Sequence, residues 1–250
     1  MFLVIGSKSH SAKQGFADAQ YLFARNLRHG WGMNKDVSDA IEWFKKAANQ
    51  GHTASMTELS SIYEKGEGVP VDNAEVLYWL QAASDLGSAA GQYQLANYYD
   101  RGAGDIDEST KAKALELYRK SAGQNYSGAL SMLGVIYEYG ANGVDKDLEK
   151  ALDYYKSAVV HGSTFGALEV GEMLEQTQEL YNPEAAAGCY FDHLAAGYSI
   201  LLTRSAKDWD KETARELQIL LEIGGFYNGP LDGDMGTGSK KAMKLLCKCE

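Results

Sequence analysis

Residues 59–83 read LSSIYEKGEGVPVDNAEVLYWLQAA, and this stretch decides the fold of the chain. A segment with helical spacing of apolar residues ends at Gly66, a glycine-rich loop follows, and Asp72 opens a second helical segment. A glycine at a helix end adopts the left-handed conformation that other residues resist, and an aspartate before a helix can accept free N–H groups. The stretch therefore predicts one helix–loop–helix unit.

This unit recurs along the chain. The glycine that ends the first helix returns at intervals of 36, 36 and 38 residues. A period of about 30–45 residues with two helices in each unit is the signature of a helical solenoid, so the sequence predicts an all-α solenoid. The recurring positions are the helix-ending glycines Gly30, Gly66, Gly102 and Gly140, the second loop glycines Gly32, Gly68, Gly104 and Gly143, the helix-opening aspartates Asp36, Asp72, Asp107 and Asp145, and the second-helix aromatics Phe44, Trp79, Tyr118 and Tyr154.

A fifth, divergent unit is expected over residues 164–197. Val170-Gly171 takes the place that Leu133-Gly134 holds in the fourth unit, and a small residue at a helix crossing lets two helices approach closely. The glycine loop is missing, but Asn182-Pro183 predicts an N-cap followed by a first-turn proline. A terminal repeat that departs from the pattern is expected where stacking ends.

Four segments follow from this pattern. Residues 1–14 are expected to form a partly disordered lead-in, and residues 15–197 to form four to five repeats. Residues 198–211, which contain Trp209, are predicted to form a short bridging helix. Residues 212–250 are predicted to form a small helical domain.

The charge of the chain limits its partners. The net charge is −10, and residues 211–250 hold as many acidic as basic side chains, so the repeats carry all of it. An acidic array lacks the basic footprint that nucleic-acid binding requires, and nucleic acid is not expected as a partner. No apolar run approaches the length of a membrane span. A role outside the cytoplasm would need an export signal that these residues do not contain.

No catalytic, metal or cofactor site is expected. The five histidines have no ligand spacing, and no nucleophile motif or supported carboxylate pair occurs. Cys247 and Cys249 have no second pair that could complete a zinc site, and we expect them to be free thiols. The sequence therefore favours a protein that is not an enzyme.

The repeats resemble the Sel-one-like repeat, a relative of the tetratricopeptide repeat. The resemblance covers residues 15–197 and implies a right-handed superhelix whose first helices line a concave face that binds a protein or peptide. Members of the family act as adaptors and scaffolds. The fourth unit carries the motif as Ala129, Leu133-Gly134, Tyr137, Gly140, Gly143-Val144, Asp147, Lys150-Ala151, Tyr154 and Lys156.

The last segment resembles the small helical peptidoglycan-binding domain of cell-wall amidases and muramidases. Gly224-Gly225 should stop a first helix that buries Leu217, Leu220, Leu221 and Ile223, and Asp232-Gly233 should form a turn. Ser239 should cap a last helix that buries Ala242, Met243, Leu245 and Leu246. The matching residues are Leu217-Gln218, Leu221, Gly225-Phe226-Tyr227, Gly229, Asp232-Gly233, Gly236, Ser239 and Ala242-Met243, and Gly224, Ser239, Leu246 and Cys247 depart from the usual residues.

Two groups of residues are candidates for binding. Trp31 lies between two glycines, so an exposed loop tryptophan is expected there. The polar candidates should project from the first helices toward a partner, and the aromatic and basic candidates near the C-terminus should meet sugar faces and stem-peptide carboxylates of peptidoglycan. The partner-binding candidates are Gln20, Trp31, Glu58, Gln94 and Ser131, and the peptidoglycan-binding candidates are Phe226, Tyr227, Asp232, Lys240, Lys241 and Lys244.

Three functions agree with these patterns. The first is a non-enzymatic scaffold of the bacterial cell envelope or periplasm, whose segment order resembles the periplasmic part of polar-organelle scaffolds. The second is a cytoplasmic or host-directed adaptor whose last segment only caps the array. The third is a regulatory subunit that recruits a cell-wall enzyme.

Overall fold

The architecture is all-α, as the sequence predicts. A computed structural model describes residues 15–102 and 108–249, and these residues form twelve α-helices and two 3₁₀ turns, with no β-strand among them. The helices are α1 (Ala17–His29), α2 (Val37–Ala48), α3 (Thr53–Lys65), α4 (Asn73–Asp85), α5 (Ala89–Asp100), α6 (Glu108–Ala122), α7 (Ser127–Tyr139), α8 (Leu148–Val160), α9 (Thr164–Gln176), α10 (Pro183–Ala195), α11 (Lys211–Ile223) and α12 (Thr237–Cys247).

The chain divides into two compact units, Met1–Ala129 and Leu130–Glu250. In the first unit α1 packs on α2, α3 on α4 and α5 on α6, and each pair also contacts the next. In the second unit α8, α9, α10 and α11 pack in succession. Each unit has a hydrophobic core of its own. The lead-in expected over residues 1–14 lies outside the described residues.

The helix ends confirm most of the capping pattern. Gly66 has φ +66°, and a Cβ added there would lie 3.1 Å from Val71 Cγ2, so another residue would be both strained and crowded. Asp36 and Asp72 cap α2 and α4 through their side chains. The backbone N–H of each donates to the carbonyl oxygen of a residue near the end of the preceding helix. Gly104 and Asp107 lie outside the described residues.

The cap of α8 differs from the prediction. Asp147 caps this helix by accepting the N–H of Lys150 at 2.9 Å, whereas Asp145 lies in the preceding loop. The physical reason is the backbone hydrogen bond from Asp147 N to Tyr137 O at 2.8 Å, which fixes Asp147 where Asp36 and Asp72 stand in earlier units. The loop between α7 and α8 is thus longer than the spacing of the four repeats predicted.

The aromatic register shifts for the same reason. Phe44, Trp79 and Tyr118 are buried as predicted, but in α8 the fully buried ring is Tyr155, and Tyr154 is only half-buried. Tyr154 instead stacks on Tyr137, with ring centroids 5.5 Å apart. Asp147 and Tyr155 are separated by the same interval as Asp36 and Phe44, so the structure corrects the alignment by one residue.

The fifth unit is present. Helices α9 and α10 pack on each other, and Asn182 caps α10 by accepting the N–H of Ala185 at 3.0 Å, with Pro183 in the first turn. The backbone N–H of Asn182 donates to Leu174 O at 2.7 Å, just as the backbone N–H of each capping aspartate donates to the helix before it.

The bridging helix predicted over residues 198–211 does not form. Two short 3₁₀ turns, Ile200–Thr203 and Ala206–Asp208, are separated by extended residues. A buried ion pair holds this segment in place of helical hydrogen bonds. Arg204 Nη2 lies 2.6 Å from Glu175 Oε2, its guanidinium lies over the ring of Trp209 at 4.5 Å, and Asp210 N donates to Glu175 Oε1 at 2.8 Å.

The last two helices continue the core of the second unit. Leu217 and Leu221 of α11 and Met243 of α12 are buried in one cluster with Tyr190 and Leu194 of α10. The last residues from 211 onward therefore share a core with the last repeats.

Several details of this segment correct the sequence predictions. Ile223 is 77% exposed and Leu245 is 56% exposed, because each lies on the outer side of its helix. Ser239 is a buried residue inside α12, and Gly236 occupies the N-cap position. Cys247 and Cys249 are joined in a disulfide, which replaces the free thiols we expected.

Candidate partner-binding sites

Trp31 presents an exposed aromatic surface in the first repeat. Its side chain is 52% exposed, stacks on the imidazole of His29 at 4.5 Å between ring centroids, and carries the Arg25 guanidinium 5.3 Å from its ring. Arg25 also lies 5.6 Å from the ring of Tyr21. Because these planar groups support one another, Trp31 is held in place and can contact a partner without a large loss of side-chain freedom. We call Arg25, His29 and Trp31 the Trp31 surface.

A buried arginine anchors this surface to the second repeat. The Arg28 side chain is 6% exposed, and its guanidinium donates to both carboxylate oxygens of Glu67, at 2.9 Å from Nε and 2.7 Å from Nη2. Its Nη1 donates to Glu58, and Nη2 lies 3.4 Å from Ser61 Oγ. A paired fork of this kind fixes orientation as well as charge. Arg28 thus joins α1 to α3 and to the loop that follows α3.

The charges of this network favour the ionised forms. Burial by itself lowers the pKa of Arg28, but the hydrogen bond and charge of Glu67, together with Glu58, outweigh it and raise that pKa. The hydrogen bond from Arg28 in turn holds the pKa of Glu67 below its usual range. Arg28 and Glu67 therefore pair in their charged forms at neutral pH.

The structure separates the predicted partner-binding residues. Gln20 is buried, and its Oε1 accepts from Gln50 Nε2 at 2.7 Å. Ser131 is buried, with its hydroxyl 2.8 Å from Ser163 Oγ. Each side chain is hydrogen-bonded to a residue that lies between the next two helices, which corrects the expectation that they project toward a partner. Glu58 is committed to Arg28, and Gln94 is half-buried.

Most of the predicted peptidoglycan-binding residues line one groove. Its volume is about 430 Å³, and the loop between α11 and α12 forms one wall while α12 forms the other. Phe226, Tyr227, Asp232 and Lys241 are among the lining residues. Lys240 and Lys244 do not line it. The groove thus combines aromatic rings, the two carboxylates of Asp232 and Asp234, and one ammonium group, and we call it the C-terminal groove.

A buried glutamine shapes the loop of this groove. Gln218 of α11 is fully buried, accepts the N–H of Gly233 at 2.9 Å, and donates to Asp234 O at 2.9 Å. Asp232 Oδ1 accepts the N–H of Asp234 at 2.9 Å, and this bond together with Gln218 lowers the pKa of Asp232. Gly233 has φ +75°, and a Cβ there would lie 2.3 Å from Lys211 O, so only glycine fits. Asp232 is therefore a turn-forming residue.

Arg28 and Gln218 hold the two candidate sites in shape, and sequence reasoning missed both of these roles. Gln218 was visible only as a matching position in the C-terminal motif, which says nothing of its contacts. Arg28 lies next to Leu27 in a helix that otherwise fits the repeat pattern, and its partners Glu58 and Glu67 come from the next unit. An arginine beside a core position in one repeat, combined with glutamates in the next repeat, is a signal that could have indicated these ion pairs.

Residues 15–102 and 108–249 hold neither a cluster of metal ligands nor a helix that could cross a membrane. They contain no group of three or more metal-ligating side chains. No helix within them has the length and apolar character needed to cross a bilayer.

Comparison with known proteins identifies the repeat. The profile of the Sel1 repeat matches residues 17–52, 53–88, 89–126 and 127–159, which together make up more than half of the chain. The chain belongs to the Sel1 repeat family. Sel1 repeats bind protein partners and are generally non-enzymatic interaction modules. The fifth unit, α9 and α10, lies beyond the matched residues, and it is predicted from the sequence and observed in the structure.

Solved structures with the same fold are distant in sequence. A Sel1 repeat protein from Oxalobacter formigenes superposes with a TM-score of 0.70 at 19% identity, over 98% of each chain. The protein c5321, a protective antigen of uropathogenic Escherichia coli strains, gives 0.67 at 23% identity over 97% of this chain. The chain spans 55% of that antigen's length.

The immunity protein PA5088 from Pseudomonas aeruginosa gives a TM-score of 0.58 at 23% identity, over 92% of this chain and 78% of that protein. At these identities the similarity establishes the fold alone. Among curated proteins, no sequence matches the chain significantly.

Proposed function

We propose that this protein is a non-catalytic adaptor that binds a protein or peptide partner at the Trp31 surface. The observation that carries the proposal is the exposed Trp31 ring, which His29 and Arg25 contact. Buried Arg28 joins the helix that carries His29 and Arg25 to the second repeat. A few residues carry most of the binding energy of a protein interface, and tryptophan and arginine are enriched among them. The chemistry favours a segment that brings an apolar or aromatic side chain to Trp31 and a carboxylate to Arg25.

Site-specific crosslinking tests this role. A photoreactive phenylalanine analogue at Trp31 should crosslink one specific protein in cells of the native host. The same analogue at Tyr78, which is 62% exposed on the second helix of the second repeat, serves as the matched control. Binding of the captured partner should weaken by roughly tenfold or more with Trp31→Ala, since hot-spot truncations cost at least about 2 kcal/mol. Equal crosslinking at both positions would reject the Trp31 surface.

A second function is supported by the C-terminal groove. We propose that Phe226, Tyr227 and Lys241 contact peptidoglycan, with aromatic rings against sugar faces and the ammonium group against a stem-peptide carboxylate. The supporting observation is that residues selected for this role from the sequence line one groove. This role would make the protein a scaffold of the cell envelope. The competing proposal, a cytoplasmic or host-directed adaptor with a C-terminal cap, is supported by the core that α11 and α12 share with α10.

Sedimentation with purified sacculi separates these two roles. Because the last helices belong to the core, point variants are better tests than a truncation. Lys241→Glu and Tyr227→Ala should reduce the fraction of protein that sediments, and added salt should reduce it further by screening the charge. Lys207→Glu changes the charge equally at an exposed position outside the groove. If all three variants sediment like the original protein, the cap is the remaining role for this segment.

A further inference from the structure

A second groove in the Leu130–Glu250 unit lies where α9 begins and α10 ends. Its volume is about 440 Å³, and its walls come from the first turns of α9, the end of α10 and the first 3₁₀ turn. The lining combines apolar with hydroxyl-bearing side chains, and its titratable side chains are His193 and Tyr198. The lining residues are Thr164, Phe165, Leu168, His193, Tyr198, Ser199, Ile200 and Thr203.

The histidine of this groove lacks hydrogen bonds. His193 is 6% exposed, and neither its Nδ1 nor its Nε2 has a hydrogen-bond partner among the described residues. Burial lowers the pKa of His193, and an interaction with the Thr164 backbone, which does not meet hydrogen-bond geometry, offsets this only in part. The ring is therefore neutral at pH 7 and has one donor and one acceptor unused. Leaving such groups unpaired costs free energy, so a group that pairs with them would bind favourably.

The start of α9 supplies donors at the same place. Ser163 caps this 13-residue helix by accepting the N–H of Gly166 at 3.0 Å. The backbone N–H groups of Thr164 and Phe165 lie in the first turn of α9 and have no carbonyl partner within the helix. They can therefore donate to solvent or to a ligand. Helix N-termini attract anions because these N–H groups and the helix dipole act together. No charged side chain of the groove competes for an anion.

We propose that this groove binds the C-terminal carboxylate of a peptide whose last side chain is apolar. The carboxylate would accept from the N–H groups of Thr164 and Phe165 and from His193. The last side chain would lie against Leu168 and Ile200, the latter of which is 53% exposed. This site uses residues different from those of the Trp31 surface and of the C-terminal groove, so its test is independent of both.

The lining favours a peptide over a fatty acid. Ser199 and Thr203 place hydroxyl groups beside the apolar residues, and a peptide backbone can pair with them while an acyl chain cannot. Tyr198 is 42% exposed and lies over the imidazole of His193, with ring centroids 5.1 Å apart. A rotation of this exposed side chain would give the carboxylate access to the histidine nitrogens.

Titration with small probes tests the proposal on the full chain. The probes are N-acetyl-Ala-Ala-Leu with a free carboxylate, the same peptide as its C-terminal amide, and dodecanoate. The free acid should bind about tenfold more tightly than the amide, since the amide lacks the charge that the helix terminus attracts. The amide resonances of Thr164 and Phe165 should shift during the titration. Dodecanoate should bind more weakly than the peptide acid.

Two variants and one control identify the residues. His193→Phe keeps an aromatic ring but removes both nitrogens, and it should abolish most of the preference for the acid. Ile200→Ser should weaken the acid at least threefold. Ile223→Ser changes an isoleucine that is 77% exposed outside the groove and should leave affinity unchanged. Equal affinity of acid and amide, tighter binding of dodecanoate, resonance shifts elsewhere, or no binding at millimolar concentrations would each overturn the proposal.

Discussion

Gly171 of α9 lies directly against the ring of Tyr190 in α10. A Cβ added at Gly171 would be 2.5 Å from Tyr190 Cε1, closer than real Cβ atoms come to any neighbour. The Tyr190 ring is fully buried, and its hydroxyl donates to Glu175 at 2.7 Å. Gly134 and Tyr155 form the same pair one repeat earlier, where the added Cβ would be 2.6 Å away. In these two repeats a glycine of the first helix thus makes room for a tyrosine of the second.

Gly171→Ala should therefore destabilise the second unit, although alanine is the better helix former. We expect a loss of about 1–3 kcal/mol in the free energy of unfolding, because the extra methyl group must displace a buried ring. Urea denaturation followed by circular dichroism measures the change.

Gly188→Ala is the matched control for this prediction. Gly188 lies inside α10, and a Cβ there would have no atom within 4 Å. Alanine should stabilise the helix at this position by about 0.5–1 kcal/mol. If Gly171→Ala proves equally stabilising, the close packing on Tyr190 is not the reason for the glycine.

The pairing of small and large residues could be predicted from the sequence, but its register could not. Gly134 and Gly171 are visible as small residues beside Leu133 and Val170. Which of two adjacent tyrosines in α8 is buried depends on where the helix begins, and this in turn depends on Asp147. Repeat spacing alone does not determine that point, because loops of different length separate similar helices.

The ion pairs between neighbouring repeats differ in burial, and this predicts different energies. Arg28→Met should lower the free energy of unfolding of the first unit by about 2–3 kcal/mol, because it leaves the carboxylates of Glu58 and Glu67 partly buried without their partner. Arg101→Met removes an exposed pair, Arg101 to Glu64 at 3.1 Å, and should cost less than about 1 kcal/mol.

Thermal unfolding of both arginine variants, at low and at high salt, measures these energies. Salt should change the effect of Arg101→Met more than that of Arg28→Met, since exposed charges are screened. Similar losses for the two variants would show that burial of Arg28 adds nothing.

The contacts of the candidate binding residues were harder to predict than the helices. The exposure of Trp31 could be predicted because this residue lies between two loop glycines, where a core position is improbable. Gln20 and Ser131 look like surface residues in a helical pattern, yet Gln50 and Ser163, their hydrogen-bond partners, come from later in the chain. A sequence pattern within one helix cannot identify a partner supplied by another, and the roles of Arg28 and Gln218 were missed for that reason.

Glu169 should make the stability of the second unit depend on pH. Burial, followed by the charges of Glu172 and Glu138, raises the pKa of Glu169 from 4.5 to about 7. The folded protein therefore retains a proton that the unfolded chain releases, and stability should fall as pH rises from 4.5 to 7. Glu169→Gln should remove this fall and stabilise the unit by about 1–2 kcal/mol at pH 8, allowing for screening by solvent.

Melting temperatures measured from about pH 4 to about pH 8 test this prediction. Glu149→Gln, which changes an exposed carboxyl on α8, is the control and should leave the pH profile unchanged. A profile of Glu169→Gln that parallels the original protein would place the pH dependence elsewhere, and Glu172 is the next group to change, since burial also raises its pKa.

Residues 210–249 contribute to the core of the second unit. Leu217, Leu221 and Met243 are buried in one cluster with Tyr190, and Asp210 N donates to Glu175, which also accepts from the Tyr190 hydroxyl. Burial of each large apolar side chain contributes about 1.5–3 kcal/mol. A chain that ends at Trp209 should therefore lose several kcal/mol in the second unit.

Hydrogen exchange locates this loss. In the shortened chain the amides of α10 should exchange much faster, whereas those of α1 to α4, in the other unit, should keep their protection. Unchanged protection of α10 would show that the last helices fold independently of the repeats. In that case, if the shortened chain no longer sediments with sacculi, the loss can be assigned to the missing groove. If α10 exchanges faster, the truncation also disturbs the repeats, and only the point variants of Tyr227 and Lys241 are valid tests of wall binding.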